Sequence, residues 1–414
     1  MTDPGVPRDS HDPARPATNL RVLVIGGGIG GLCLAQGLRA EGIDVTVFDR
    51  APSMTTGRQG YGFHINETGD AALSACLPTH LYELYRATAS PAATGDFVLF
   101  TAGLREILRR PLPAQTVDRP RVGVGVNRQT LREILSAELG DAIRYNSEFR
   151  RYDTGPAGRL RAHFADGAGE DADLIVGADG ADSAVRGQLV PDAGFDDFGR
   201  SIYGRTPLTP ALTDRIPPDF LHGMARAKDD RGRTLGAARF TAIEPFPRAT
   251  ARLAPHVRLT ATGDYLRWTL SLREEGLVGA RRFWGSTGPA LQAIAEDLVA
   301  TWHPGLRAII DNADAEATYP FGIFCARPVQ RWSQPGVTLL GDAIHTMTPG
   351  RGEGANTALR DAALLTARLA DVAAGRSALS TAIAAYETEM LRYGFEAVEN
   401  SRRPYFAAPM KPRG

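Results

Sequence analysis

The chain reads RVLVIGGGIGGLCLAQGLRAEGIDVTVFDR over residues 21–50. Residues 22–25 are apolar and mostly β-branched, as a strand that is buried on both faces requires. Apolar residues then recur near helical spacing over 32–40, and Gly42 is a typical helix stop. Residues 45–48 form a second apolar run. The pattern predicts a strand, a helix and a second, parallel strand.

The turn between the first strand and the helix carries three glycines at GxGxxG spacing, Gly26, Gly28 and Gly31. The first glycine permits a tight turn, the second permits a pyrophosphate to approach the backbone, and the third permits close packing of helix and strand. Asp49 ends the second strand, where its carboxylate would accept hydrogen bonds from ribose hydroxyls and repel a 2′-phosphate. The motif therefore predicts FAD or NAD as the ligand, rather than NADP.

Three further segments accompany this motif along the chain. They are NRQTLREIL at 127–135, DLIVGADGADSAVR at 173–186, and VTLLGDAIHTMTPGRGEGANTALRDAALL at 337–365. In this order, the four motifs resemble those of the p-hydroxybenzoate hydroxylase family, the single-component or class A FAD-dependent monooxygenases. The resemblance covers roughly residues 20–190 and 319–400 of the 414.

The resemblance implies an α/β fold: a Rossmann-like FAD-binding domain of the GR2 type, an inserted, mainly antiparallel β substrate domain, and C-terminal helices. Loss of the strand and helix alternation over 201–318 also favours a separate antiparallel layer there. The expected division is a disordered tail at 1–19, an FAD-binding domain at 20–75, 120–200 and 319–375, a substrate domain at 76–119 and 201–318, and a C-terminal helical segment at 376–414.

Carried over residue by residue, the family pattern implies which residues bind the cofactor. Asp49 would hold the adenosine ribose, and Arg128 would reach the phosphates or a ribose. Asp179 and Gly180 stand at DG positions that serve FAD and the nicotinamide donor, and Asp342 stands near the ribityl chain and pyrophosphate. The full predicted set is Gly26, Gly28, Ile29, Gly30, Gly31, Asp49, Arg50, Arg58, Arg128, Asp179, Gly180, Asp342, Pro349, Gly352, Gly354, Ala355 and Asn356.

The loop at 349–356 would lie against the isoalloxazine ring, with the following helix aimed at it. A helix N-terminus that glycines precede supplies N–H donors where a reduced flavin carries negative charge. The chain departs from the family pattern here, because Thr348 and Pro349 replace a frequent Pro-Pro pair and Glu353 stands where Gln is common.

The resemblance implies a reaction in which NADPH or NADH reduces FAD and O2 forms a hydroperoxide at flavin C4a. This species would then hydroxylate an aromatic or polycyclic small molecule, in degradation or in natural-product tailoring. Two alternatives remain open at this stage: a flavoprotein epoxidase or Baeyer–Villiger enzyme, and a non-redox FAD protein that catalyses a rearrangement or cyclisation.

The sequence does not identify a catalytic base. His64 is one pocket candidate, because a histidine accepts protons near neutral pH. Arg239, Arg267 and Trp268 lie on strand-like runs that could face the ring. Arg267 and Trp268 are adjacent and must point to opposite faces of a strand, so at most one of them lines the pocket.

Composition excludes several other classes of protein. The chain has 47 basic and 47 acidic residues, and this balance offers no field for nucleic acid. No apolar run is long enough to span a membrane, and three scattered cysteines indicate a reducing cytoplasm without a disulfide framework. We expect no metal site, and we expect His345 to pack near its loop. The sequence does not set the oligomeric state.

Overall fold

The computed structural model describes residues 20–55, 62–91, 93, 96–111, 123–155, 159–272 and 286–403. The predicted tail at 1–19 and the predicted cofactor contact Arg58 lie outside the described residues.

The predicted strand, helix and strand unit is confirmed as β1 (Arg21–Ile25), α1 (Ile29–Ala40) and β2 (Asp44–Phe48). β1 and β2 pair in parallel, from Arg21 opposite Asp44 to Ile25 opposite Phe48. Residues 22–25 are buried, as their uncharged sequence predicts.

The central sheet of this part of the chain is parallel and has five strands in the order β17-β11-β1-β2-β7. Its remaining strands are β7 (Ile143–Arg144), β11 (Leu174–Gly177) and β17 (Val337–Leu339). Because all four pairings are parallel, the carboxyl ends of the strands meet at one edge. Ligands of open α/β sheets bind beyond that edge.

Helices and two small sheets surround the parallel sheet and share its core. The helices are α2 (Glu67–Cys76), α3 (Thr79–Thr88), α4 (Arg128–Ser136), α5 (Ala184–Leu189), α11 (Asp342–His345), α12 (Gly354–Ala373) and α13 (Leu379–Ser401). One small sheet pairs β3 (Gly62–Ile65) with β6 (Val124–Asn127), and the other contains β8 (Phe149–Thr154), β9 (Leu160–Phe164) and β10 (Gly169–Ala172). In the described part of the chain, no helix combines the length and hydropathy that crossing a membrane demands.

The second large sheet has seven strands in the order β16-β12-β15-β14-β13-β4-β5. They are β4 (Asp96–Thr101), β5 (Glu106–Pro111), β12 (Phe195–Pro207), β13 (Met224–Lys228), β14 (Thr234–Phe240), β15 (Tyr265–Leu272) and β16 (Tyr319–Ala326). All neighbours are antiparallel except β13 and β4, which confirms the predicted, mainly antiparallel layer. The helices of this region are α6 (Pro210–Thr213), α7 (Pro218–His222), α8 (Phe246–Leu253), α9 (Gly288–Leu298) and α10 (Pro304–Asp311).

The two large sheets do not divide the chain at every predicted boundary. β16 begins at Tyr319 and pairs with β12 in the seven-stranded sheet, whereas the predicted boundary assigns it to the first domain. α3 contributes Leu81 and Leu84 to the core of the parallel sheet, whereas the predicted boundary assigns it to the second domain. The division into domains stays a prediction.

The seven-stranded sheet has two chemically different faces. Leu266, Trp268 and Leu270 of β15 lie in one apolar core with residues of α9 and α10. The alternate residues of β15, including Arg267 and Thr269, therefore point toward the parallel-sheet part of the molecule. Tyr203 of β12, which stands opposite Thr269, shares that face and donates a hydrogen bond to the Gly62 carbonyl oxygen at 3.0 Å.

Glu387 is a buried carboxyl group on α13, and it predicts a pH dependence of stability. Burial raises its pKa from 4.5 to about 7, although Arg331 lies 3.6 Å away. The folded state therefore binds this proton more tightly than the unfolded chain, so stability falls as the pH rises from 4.5 through 7. We expect Glu387→Gln to be near neutral at pH 5 and to raise the free energy of unfolding at pH 8, by up to about 3 kcal/mol. Urea denaturation at both pH values measures this, and an equal difference at the two values would contradict it.

Candidate functional site

The three glycines of the GxGxxG turn have three different surroundings. Gly26 has φ +114°, and a Cβ atom on it would lie 2.3 Å from the Ala178 carbonyl oxygen. A Cβ on Gly31 would lie 2.1 Å from the Gly26 carbonyl oxygen. A Cβ on Gly28, at the N-cap of α1, would have no protein atom within 4 Å. Gly26 and Gly31 thus permit close packing of the chain, whereas Gly28 borders open space.

The Asp49 carboxylate closes the next strand and is held beside this turn. Its oxygens accept hydrogen bonds from the backbone N–H groups of Gly27, at 3.0 Å, and Ala51, at 2.8 Å. Arg132 of α4 lies behind the turn, 1% exposed, and donates two hydrogen bonds to the Gly27 carbonyl oxygen. Its guanidinium is 3.7 Å from Asp49. Sequence reasoning missed Arg132, although it lies one helical turn after Arg128 on the same helix.

Arg128 begins α4 directly after the N-cap residue Asn127. Asn127 accepts a hydrogen bond from the Thr130 N–H and donates one to the Tyr265 hydroxyl. Arg128 Nε is buried and has no hydrogen-bond partner among the described residues. A buried donor without a partner costs free energy, so this guanidinium suits an anionic or polar ligand.

Asp179 and Gly180 form the turn after β11, at the same sheet edge. The Asp179 carboxylate accepts hydrogen bonds from Ser183 Oγ at 2.5 Å and from the Ala184 N–H at 2.8 Å. Burial raises its pKa, against these hydrogen bonds, which favour the ionised form. Both carboxylate oxygens are thus used to cap α5, while Gly180, with φ +80°, borders open space.

Asp342 begins α11 after the tight turn at Gly341, which has φ +61°. Asp342 is exposed, and among the described residues only its backbone carbonyl oxygen, not its carboxylate, accepts a side-chain hydrogen bond. A Cβ on Gly354, the first residue of α12, would lie 3.8 Å from Asp342 Oδ1. The carboxylate therefore faces the N-terminus of α12.

A buried polar network lies beneath this turn. The Asp361 carboxylate accepts hydrogen bonds from the Gly341 N–H at 2.8 Å, from His345 Nε2 at 2.7 Å and from the Tyr393 hydroxyl at 2.6 Å. His345 and Asp361 are both 0% exposed. Burial opposes a charge on His345, but the Asp361 carboxylate outweighs it and raises the pKa of His345. His345 therefore packs near the loop, as predicted, and Asp361 and Tyr393 are positioning residues that the sequence motifs did not reveal.

The loop between α11 and α12 brings the remaining predicted residues together. Gly352 has φ +68° and borders open space, and Pro349 is exposed. Asn356 is buried and donates to the carbonyl oxygens of His64 and Gly352, both at 2.8 Å. Its side chain thus joins this loop to β3. Of the other predicted residues, two are buried, Ile29 and Gly30. Arg50 is exposed, and Ala355 is half-buried.

A dinucleotide fits this arrangement. Close contacts bring the turns after β1, β11 and β17 together, since a Cβ on Gly26 would lie 2.3 Å from the Ala178 carbonyl oxygen and one on Gly30, in the first turn of α1, would lie 2.7 Å from the Leu340 side chain. Around these contacts, Gly28, Gly180 and Gly352 leave open space that a Cβ atom would enter. The turns supply N–H donors, and Arg128 at the start of α4 supplies a buried Nε atom that has no partner among the described residues; both suit phosphates, and the Asp49 carboxylate beside them suits ribose.

The seven-stranded sheet faces the same region with polar side chains. Arg226 of β13 donates a hydrogen bond to the Gly350 carbonyl oxygen at 3.2 Å, in the loop before α12. Arg267 is half-buried, and a Cβ on Gly62 would lie 2.9 Å from its Nη1 atom. Among the described residues, no carboxylate forms an ion pair with Arg267. We name this surface, formed by Tyr203, Arg226, Arg267 and Thr269, the polar sheet face.

The structure separates the pocket candidates that the sequence left together. Trp268 is 1% exposed and lies in the core beneath α9 and α10, because its strand turns Arg267 to the polar sheet face. Arg239 shares the side of Leu266 rather than that of Arg267, and it pairs with Asp264 at 2.8 Å. His64 is exposed, and a Cβ on Gly123 would lie 2.4 Å from its Nε2 atom. Trp268 therefore offers no surface to a ligand in this structure.

Comparison with known proteins agrees with this geometry. A family model of the FAD binding domain matches residues 313–401, and one of an NAD(P)-binding Rossmann-like domain matches residues 24–73. The chain is 35% identical over 384 residues to the dual O-methyltransferase/FAD-dependent monooxygenase elcB of Phaeosphaeria nodorum. That match covers 86% of this chain but 41% of the relative, so the chain spans less than half of that protein's length.

Two further matches cover most of both proteins. The 6-hydroxynicotinate 3-monooxygenase of Pseudomonas fluorescens is 25% identical, and the match covers 88% of this chain and 86% of that one. The crystal structure of a provisionally assigned FAD-containing monooxygenase from Photorhabdus luminescens has a TM-score of 0.78 and 33% identity. It covers 92% of this chain and 96% of its own. The chain belongs to the class A FAD-dependent monooxygenases, and its cofactor is FAD.

The open space at Gly28 predicts a substitution that blocks the cofactor and leaves the fold intact. A valine there meets no protein atom within 4 Å of its Cβ, so the apoprotein should fold and melt normally. It would occupy the space of a pyrophosphate, and we expect FAD affinity to fall at least about tenfold. The matched control is Gly187→Val on α5, where a Cβ also has no neighbour within 4 Å. Bound FAD per chain and apoprotein melting are the measurements, and normal flavin content in Gly28→Val would refute the assignment.

Proposed function

We propose that this chain is a monooxygenase that uses NAD(P)H and O2 to hydroxylate an aromatic or polycyclic small molecule. The observation that carries the proposal is the polar sheet face, which lies opposite the turns after β1, β11 and β17. It contacts the loop between α11 and α12 through the hydrogen bond from Arg226 to the Gly350 carbonyl oxygen. A polar surface beside a flavin site is where an oxygenated ring would be held. The hydroxylating relative from Pseudomonas fluorescens supports this substrate class.

Within this proposal, the described cofactor residues divide the work of binding. Gly28 and the N-terminus of α1 receive the pyrophosphate, Asp49 the adenosine ribose, and Arg128 a phosphate or ribose oxygen. Asp342 and the backbone of Gly352 and Gly354 approach the flavin end. Gly180 leaves room at the adjoining turn. Asp179 accepts three hydrogen bonds within the protein, one more than Asp49, and the Asn356 amide both accepts and donates within it, so these two side chains act by positioning backbone.

When bound, FAD supplies the redox and oxygen-transfer chemistry. The chain must orient the substrate, exclude water and stabilise charge. Arg267 is the described group best placed to bind a substrate oxygen, because it reaches β3 without a carboxylate partner among the described residues. The charge of Arg267 also acts on the Tyr265 hydroxyl. Burial raises the pKa of Tyr265, and the positive charge of Arg267 partly offsets that increase. A cation at this position favours a phenolate or carboxylate over a neutral ring.

The three buried free thiols, Cys33, Cys76 and Cys325, agree with the reducing cytoplasm as the proposed compartment. Epoxidation, Baeyer–Villiger oxidation and a non-redox rearrangement would use the same cofactor turns, so the product distinguishes them.

Purified protein reconstituted with FAD tests the redox proposal. Mixed anaerobically with NADPH or NADH, it should lose oxidised flavin absorbance, and a library of phenolic and carboxylated aromatics should contain compounds that speed this loss. Under air, the cognate compound should gain one oxygen atom, and isotope-labelled O2 should be its source. Persistent oxidised absorbance with both donors and all compounds would overturn the redox proposal. Oxygen inserted into a C–C bond or across an alkene would replace hydroxylation by one of the alternatives.

Arg267 and Arg239 provide a paired test of the substrate side. We expect Arg267→Met to raise KM for an anionic aromatic substrate by about ten- to a hundredfold, since one charge-assisted contact contributes 1.5–3 kcal/mol as a rough guide. Arg239→Met removes the same charge from the other side of the sheet, and its partner Asp264 is 39% exposed, so KM should change little. Equal effects of the two substitutions would contradict the assigned faces.

A further inference from the structure

A separate cluster of side chains lies at the far end of α4 from Arg128. His80 Nε2 and His256 Nε2 lie 2.7 Å and 2.8 Å from the same oxygen of Glu138, Oε1. The ring centroids of the two histidines are 6.0 Å apart. One ligand atom from each residue lies within 4.8 Å of the others. The three residues come from three segments, with Glu138 58 positions from His80 and 118 from His256.

Each of these side chains extends from a firmly held piece of backbone. Glu138 follows the end of α4, where buried Gln36 donates hydrogen bonds to the carbonyl oxygens of Leu135 and Ala137.

His80 lies in the first turn of α3, next to Leu81, which is 0% exposed. His256 lies between two residues of a turn that are both buried, Ala254 and Val257, and that share a backbone hydrogen bond. The spacing of the three side chains is therefore set by the fold.

The cluster is open to solvent. The side chains of His80, Glu138 and His256 are 39%, 35% and 55% exposed, so a cation can reach them from solvent.

We propose that His80, Glu138 and His256 form a binding site for one zinc ion. Two imidazole nitrogens and one carboxylate oxygen are a donor set that Zn²⁺ accepts with tetrahedral geometry, and solvent would supply the fourth ligand. Ligand bonds of about 2.0–2.1 Å require these atoms to lie about 3.3 Å apart, so each imidazole must withdraw from Glu138 by about half an ångström. Their exposure permits that movement. Ca²⁺ and Mg²⁺ prefer oxygen ligands throughout, which disfavours them here.

A zinc ion at this position would join the first turn of α3, the second residue after α4 and the turn that follows α8. It would bind after folding, because the three segments converge only in the folded chain, and would therefore stabilise the native state. This cluster lies away from the proposed FAD site. Arg128, a proposed FAD contact, begins α4, and Glu138 follows the other end of this helix, which is about 14 Å long. No metal site was predicted from the sequence, which has no zinc-binding motif, and the three residues of this cluster are far apart along the chain.

Titration of the tag-free holoprotein with zinc chloride tests the proposal, after treatment with a chelator and in a buffer that does not bind metal. We expect one zinc per chain by calorimetry and by elemental analysis after gel filtration, and a rise in the melting temperature with zinc concentration. His80→Ala, His256→Ala and Glu138→Gln should each weaken binding at least about tenfold, because each removes one of three protein ligands.

The matched control is His163→Ala. His163 Nε2 lies 2.9 Å from an Asp153 carboxylate oxygen, so this substitution also removes a histidine that contacts a carboxylate. Among the described residues, this pair belongs to no group of three potential metal ligands. This variant should bind zinc like the wild type and show the same shift in melting temperature. Less than half an equivalent of zinc in the wild type, or full binding in a His80→Ala/His256→Ala double variant, would overturn the proposal. Flavin content serves as the check that each variant is folded.

Discussion

The close approach of backbone at the edge of the parallel sheet is the constraint on which the cofactor site depends. Gly26 and Gly31 have no room for side chains, because the Ala178 and Gly26 carbonyl oxygens lie where their Cβ atoms would be. This contact brings the turn after β1 against the turn after β11, and Gly30 brings α1 against the side chain of Leu340, the residue that follows β17. The three turns therefore border one space, although they are separated along the chain by more than 300 residues in total.

Buried polar groups then hold these turns in place and leave the outward-facing groups available. Arg132 donates a hydrogen bond to the Gly27 carbonyl oxygen, and the Asp361 carboxylate accepts one from the Gly341 N–H. Both are almost fully buried, where an unpaired charge would be costly, so each requires its partners. The Asn356 side chain similarly donates hydrogen bonds to the backbone carbonyl oxygens of Gly352 and His64. This division explains why conspicuous polar residues of the motifs differ in role: Asp342 faces outward, whereas Asp179 and Asn356 support the backbone.

Much of the architecture was predictable from local pattern. The βαβ unit and the strand at Tyr265–Leu272 follow from apolar spacing and glycine position, which are properties of neighbouring residues. The alternation of β15 also predicted that only one of Arg267 and Trp268 lines the pocket. It could not predict which one, because that depends on the side against which α9 and α10 pack. Arg239 was misleading for the same reason, and its strand turns it to the side of Leu266. Asp361, Tyr393 and Arg132 were missed because their partners are backbone groups and side chains far away in the sequence, and the same holds for the cluster around Glu138.

The central claim is that turns distant in sequence bind one cofactor together. Hydrogen–deuterium exchange of the apoprotein, with and without added FAD, tests it most directly, because exchange reports each backbone segment separately. The account predicts slower exchange on FAD addition in all of residues 26–31, 128–132, 178–184 and 341–356, with no change in β5 at the far edge of the seven-stranded sheet. Protection confined to residues 26–31, with the turns after β11 and β17 unaffected, would contradict it.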